Sequence, residues 1–94
     1  MTSKVPPHQE RRQMLLASIP GGKISTRLLR IILDETPIWT IDEAAVLCFE
    51  DWQAMRLIGP ERLRELQVIL AAKGLFLRAT TDRGRAALAR LPQP

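Results

Sequence analysis

The chain has 94 residues, 46% of them hydrophobic and 26% charged, with a formal net charge of +4. That length holds one small domain with a modest core, and that hydrophobic share excludes wholesale disorder. Eleven of the 14 basic residues are Arg, whose planar forks match phosphates and base edges. This fits a nucleic-acid partner, and GC-rich coding, which enriches Arg, Ala, Leu and Pro together, accounts for it almost as well.

A lone cysteine, Cys48, excludes an intramolecular disulfide and fits a reducing compartment. No apolar run approaches the roughly 20 residues that span a bilayer. The opening stretch MTSKVPPHQERRQ lacks the apolar centre of a signal peptide. A cytoplasmic protein with no membrane partner is expected.

Residues 1–12 are polar, charged and contain Pro6-Pro7, which predicts a mobile basic arm; Arg11-Arg12 could help hold a polyanion, but a solvated tail is the preferred reading. Residues 13–23 read as a short helix or linker: Met14-Leu15-Leu16 form an apolar plug and Ile19-Pro20-Gly21-Gly22 a strong breaker.

The main helical unit is expected over 24–78. Residues 24–35 place Leu28, Leu29, Ile32 and Leu33 on one stripe, with Ser25 or Thr26 as cap and Arg27 and Arg30 on another face. Thr36-Pro37 stops that helix. Thr40-Ile41-Asp42-Glu43 is a capping box that predicts a short helix over about 41–47. Another is expected over Phe49–Met55, with Glu50 and Asp51 in its first turn, where the helix dipole favours them. A helix from Pro60 to about Ala72 would bury Leu63, Leu66, Ile69 and Leu70 and close on Gly74. Residues 79–94 read as a turn, Thr81-Asp82-Arg83-Gly84, and a small helix over Arg85–Arg90 stopped by Pro92. No period-two pattern points to a strand. The class is all-α, a bundle of four to five short helices.

Catalysis has little to work with. His8 is the only histidine, so no triad or zinc site can be assembled around it, and no phosphate-loop motif exists. Glu50-Asp51 and Asp42-Glu43 are better explained as helix-start residues than as paired catalytic carboxylates. Cys48 reads as a small core residue, and Trp39 and Trp52 as core aromatics. A protein that is not an enzyme, needing no cofactor and no metal, is expected.

The stretch Leu57-Ile58-Gly59-Pro60-Glu61-Arg62-Leu63 is the most suggestive. Gly59 tolerates unusual backbone angles and Pro60 starts a helix, leaving bare N–H groups of the kind that attract phosphate. Arg62 and Arg64 follow on the same helix.

Residues 25–78 resemble the C-terminal domain of bacterial RNA polymerase alpha subunits. The stretches that carry the resemblance are STRLLR, PIWTIDEA, FEDWQAMRLIGPERLREL and AAKGLFL, in the family's order and nearly its spacing. The resemblance implies a compact SAM-like fold with a helix-hairpin-helix element and transcription-related DNA binding. By position, Arg27 would enter the minor groove and the Gly59 turn would hold a phosphate. Arg30 stands at the family's asparagine, Glu61 where lysine is frequent and Arg62 at its serine, while Glu65 matches a glutamate that braces the arginine. With no polymerase assembly domain in its 94 residues, the chain is expected to be a free-standing DNA-binding relative or a mimic engaging polymerase or a transcription factor.

Two alternatives are distinguishable. Residues 73–91, KGLFLRATTDRGRAALARL, also resemble the end of a winged-helix repressor, which would make the helix from Pro60 a recognition helix followed by a wing. A protein-interaction adaptor would instead turn Asp34-Glu35, Asp42-Glu43 or Glu50-Asp51 toward a basic partner, pair Arg27 internally and expose an apolar patch. DNA binding requires Arg27, Arg30 and the N–H groups after Gly59 to face one exposed concavity.

Overall fold

The computed structural model describes residues 7–91, and every regular element among them is helical. The first helix, α1, spans Pro7–Ser18, so the segment expected to be a mobile arm is ordered from Pro7 onward. Its anchors explain why. Leu15 is completely buried, and Arg11 reaches across to backbone carbonyls in the region of Ile32–Ile38. The expectations for residues 1–6 and 92–94 lie outside the described residues.

A 3₁₀ turn at Pro20–Gly22 breaks the chain where expected. Helix α2 then spans Thr26–Glu35, capped by Ser25, whose hydroxyl accepts from the Leu28 amide at 3.1 Å. Leu28, Leu29, Ile32 and Leu33 are all buried. Full burial of each such side chain is worth about 2 kcal/mol.

The segment after Thr40 is a 3₁₀ helix, Ile41–Ala45, rather than an α-helix to residue 47. Glu43 turns back to accept from the amides of Trp39 and Thr40, and the chain must turn again at once to begin helix α3, Phe49–Gln53. Phe49 and Trp52 are buried, and the Trp52 indole donates to the Ala44 carbonyl at 3.1 Å. Trp39 departs from its expected place in the core and is 36% exposed. Cys48 is half-buried at the cap of α3, not a core residue.

Helix α4, Pro60–Ala71, buries Leu63, Leu66, Ile69 and Leu70. It closes at Gly74, whose amide donates to the Ala71 carbonyl and whose φ of 74° turns the chain so that the Leu75 amide reaches Leu70. Helix α5, Asp82–Arg90, starts three residues earlier than the sequence suggested, because Thr81 caps it by accepting from the Gly84 amide at 2.9 Å.

The segment between α4 and α5 forms no wing, and no strand occurs among the described residues. Its backbone groups are taken elsewhere: the Arg78 carbonyl accepts from the Phe49 amide at 2.6 Å, and Glu50 takes the amides of Thr80 and Thr81. Leu77 and Leu91 belong to the same core as Leu15, Leu28 and Trp52, with Ala87 and Leu88 packed against it. The residues from 79 to 91 are therefore part of the domain.

Candidate nucleic-acid interface

The start of α4 differs from its expected form. Gly59 adopts φ −103° and ψ 179°, an extended backbone open to any residue. The left-handed conformation falls two positions earlier, at the exposed Leu57, with φ 69°. That places about 1 kcal/mol or more of backbone strain at a leucine rather than at the glycine. Nor is there a row of bare N–H groups. Pro60 has none, and the amides of Arg62 and Leu63 both donate to the Gly59 carbonyl at 3.0 Å. The Glu61 amide is left without an acceptor among the described residues, and no side chain caps Gly59.

The arginines divide into two groups. Arg62 is engaged internally: Nη1 donates to Ser25 Oγ at 3.0 Å and lies 3.4 Å from Glu65, and Nη2 lies 3.5 Å from Glu61. Glu65 also accepts from the Ser25 amide and hydroxyl, at 2.6 and 2.7 Å. The glutamate expected to brace Arg27 thus braces Arg62 and the beginning of α2. Arg27, Arg30 and Arg64 are exposed, and none has an ion pair or side-chain hydrogen bond among the described residues.

These residues do not share one concavity. The arrangement expected above for DNA binding, with Arg27, Arg30 and the Gly59 turn facing one hollow, is not formed, and only contacts from an outer surface are left to that reading. Arg62 and Arg64 line an open groove of about 610 Å³ with Ser25, Glu61, Glu65 and Val68. Arg30 lines a separate groove of about 210 Å³ between α1 and α2, with Arg12, Thr26 and Asp34. Arg27 and Gly59 line neither. On α2 the exposed Thr26, Arg27, Arg30 and Asp34 form the face opposite the buried stripe, an outward helical ridge that carries both arginines and, in Asp34, a carboxylate unpaired among the described residues. A ridge carrying arginines offers phosphate contacts from outside the backbone and encloses no base.

Sequence reasoning missed two residues that shape the electrostatics. Arg11 closes the C-terminal end of α2: Nε donates to Ile38 at 2.6 Å, Nη1 to Leu33 at 2.9 Å and Nη2 to Ile32 at 3.0 Å, with Thr36 as a further acceptor. A cation is favoured at that end of the dipole. Glu50 performs the opposite task at the start of α5. Its carboxylate accepts from the Thr80 amide, the Thr81 amide at 2.9 Å and the Thr81 hydroxyl at 2.8 Å. Those bonds, the Thr80 amide first, lower its pKa from 4.5 to about 2. Glu43 is likewise lowered by the Trp39 and Thr40 amides. The Cys48 thiol is pushed up by its hydrogen bond to Asp51, which disfavours the reactive thiolate.

The outcome is a lopsided charge distribution. Asp42, Glu43, Glu50, Asp51, Glu65 and Asp82 are each held by backbone amides or cations of the same chain. Glu61 lies 3.5 Å from Arg62 with 91% of its side chain exposed, and Glu10, Asp34 and Glu35 have no partner among the described residues. Among the described basic residues, Arg11, Arg62, Lys73 and Arg85 are similarly engaged, while Arg12, Lys23, Arg27, Arg30, Arg56, Arg64, Arg78, Arg83 and Arg90 have no side-chain partner there, so the free arginines of α2 and α4 are part of a wider set. No cluster of metal-ligating side chains occurs among the described residues, and no helix there is long and apolar enough to cross a membrane. No family model, curated protein or solved structure matches the chain.

Proposed function

We propose that this chain is a non-enzymatic, transcription-related module of the cytoplasm that binds double-stranded DNA through backbone phosphates. The observation that supports this reading is the asymmetry of its charges. Most carboxylates are tied into helix ends, and an arginine ridge of Arg27 and Arg30, flanked by Arg12 and Arg64, keeps its charge for a polyanion. Affinity on such a surface comes mainly from counterion release, with modest sequence preference. The resemblance to polymerase alpha C-terminal domains adds a minor-groove role for Arg27. Arg62 is a positioning residue that fixes α4 against the start of α2.

The adaptor reading, in which acidic residues face a basic partner, keeps two of its marks: the exposed Asp34-Glu35, unpaired among the described residues, and an exposed apolar patch at Val46 and Phe76. It has less support in the rest, because Asp42, Glu43, Glu50 and Asp51 are already engaged and Arg27 has no internal partner among the described residues. The repressor reading loses its wing.

Fluorescence anisotropy of a labelled A·T-rich duplex, titrated with the protein across a salt series, tests the proposal. Binding should weaken linearly in log salt, with a slope of about −3 for three to four phosphate contacts. The variant with Arg27, Arg30 and Arg64 all replaced by Ala should lose nearly all of it. No binding at low salt, or binding untouched by that variant, would contradict the reading.

A further inference from the structure

A second exposed surface lies over the Ile41–Ala45 turn, lined by neither Arg30 nor Arg64. Two adjoining hollows, of about 590 and 320 Å³, share Val46 and Leu47. The larger is continued by Leu75, Phe76 and Arg78, the smaller by Pro37 and Ile38. Val46 is 84% and Phe76 66% exposed. Neighbouring apolar side chains left this open on a small domain mark a docking surface more often than scattered single residues do.

The charges around it select the partner. Asp42 is paired with Lys73, Glu43 holds the amides of Trp39 and Thr40, Glu50 holds those of Thr80 and Thr81, and Asp51 holds Cys48. Arg78 is among the residues lining the larger hollow, it is exposed, and its side chain has no ion pair or hydrogen bond among the described residues. The one unengaged charge of the hollow is therefore positive. In a symmetric contact a second copy of the chain would bring the same engaged carboxylates to the surface and leave two arginines unneutralised. A partner must bring its own acid.

We propose that this surface docks a peptide segment of another protein that presents an apolar anchor to Val46, Leu47 and Phe76 and a carboxylate to Arg78. The proposal is independent of DNA binding, which uses other residues. The apolar anchor supplies the affinity, and the Arg78 contact supplies direction and selectivity.

A phage-displayed library of short random peptides, panned on the full chain and on a Val46→Asp/Phe76→Ser variant, tests it. Both substituted side chains are exposed, so matching thermal melts will verify that the variant is folded. Peptides combining an aromatic or aliphatic residue with Asp or Glu should be enriched on the native chain alone. A synthetic representative should bind the variant about tenfold more weakly or worse. Arg78→Glu should shift enrichment from acidic to basic peptides. Enrichment that is equal on the variant, absent altogether, or indifferent to Arg78→Glu would overturn the proposal. So would dimerisation of the native chain, seen by sedimentation velocity and abolished by Val46→Asp, since the surface would then belong to a second copy.

Discussion

The starts of α4 and α5 lie at helices of similar length and teach opposite lessons about charge. At α5 a carboxylate from another helix, Glu50, closes the end, and Thr81 caps it in the same network. At α4 no side chain caps Gly59, and the nearest carboxylate, Glu61, points outward with 91% of its side chain exposed. The first arrangement uses charge for stability and leaves nothing for a ligand. The second leaves charge unsettled and sits beside the free Arg64. Stability and binding are thus expected to separate by region, and substitutions can test that separation.

The largest effect is expected where a charge is most completely engaged. Arg11→Ala leaves several carbonyls at the end of α2 without their donor, and should destabilise the fold by about 3 kcal/mol in urea denaturation. Arg11→Lys should recover only part of this, because an ammonium lacks the fork that reaches several acceptors at once. DNA affinity, measured on the folded fraction, should stay within about twofold.

The closed start of α5 is next. A methyl group on Gly84 would lie 1.8 Å from Glu50 Oε2, a carboxylate held by several bonds. Gly84→Ala should therefore expel Glu50 and cost about 2 kcal/mol. The same network predicts an acid limb. Glu50 has its pKa lowered to about 2, so its contribution is complete above its ordinary value of 4.5 and is lost as pH falls through that interval. Glu43 is shifted the same way. Thermal melts from pH 6 to about 2 should show the decline, and Glu50→Gln should flatten part of it.

Smaller effects should distinguish the neighbours Arg62 and Arg64. Arg62→Ala should cost about 1 kcal/mol of stability, because its tie to Ser25 and Glu65 is partly buried, and leave the salt slope of DNA binding unchanged. Arg64→Ala should do the reverse: stability within about 0.5 kcal/mol of native, affinity a few-fold lower and the salt slope smaller by about 1. Glu61→Gln should tighten DNA binding by about two- to threefold by removing an exposed like charge beside the ridge.

What could be read in the sequence was local. The Leu28, Leu29, Ile32, Leu33 and Leu63, Leu66, Ile69, Leu70 stripes fix two helices because four-residue spacing suffices to name a buried face. Ser25 as cap and Gly74 as terminator follow from backbone chemistry within a few residues. The first half of α1 was hidden because its polar sequence carries no stripe, and only the part from residue 13 onward was open to a helical reading. The helix is held by Leu15 and by Arg11, whose acceptors lie 21–27 positions away. Glu50 looked like an ordinary first-turn acid because its partners are 30 residues on. The candidate site was legible as a list of arginines, but not which were free. Arg62 and Arg64 look alike in sequence, and the helix phase together with the position of Glu65 decides between them.

The central claim, that the unengaged arginines of α2 and α4 form the DNA-binding face, is tested most directly by titrating the ¹⁵N-labelled protein with an A·T-rich duplex and following amide shifts. The account predicts perturbations at and around Arg27, Arg30, Glu61 and Arg64, fading as salt is raised, with Glu50, Thr80 and Thr81 unchanged. Perturbations concentrated at the start of α5, or no perturbation at low salt, would contradict it.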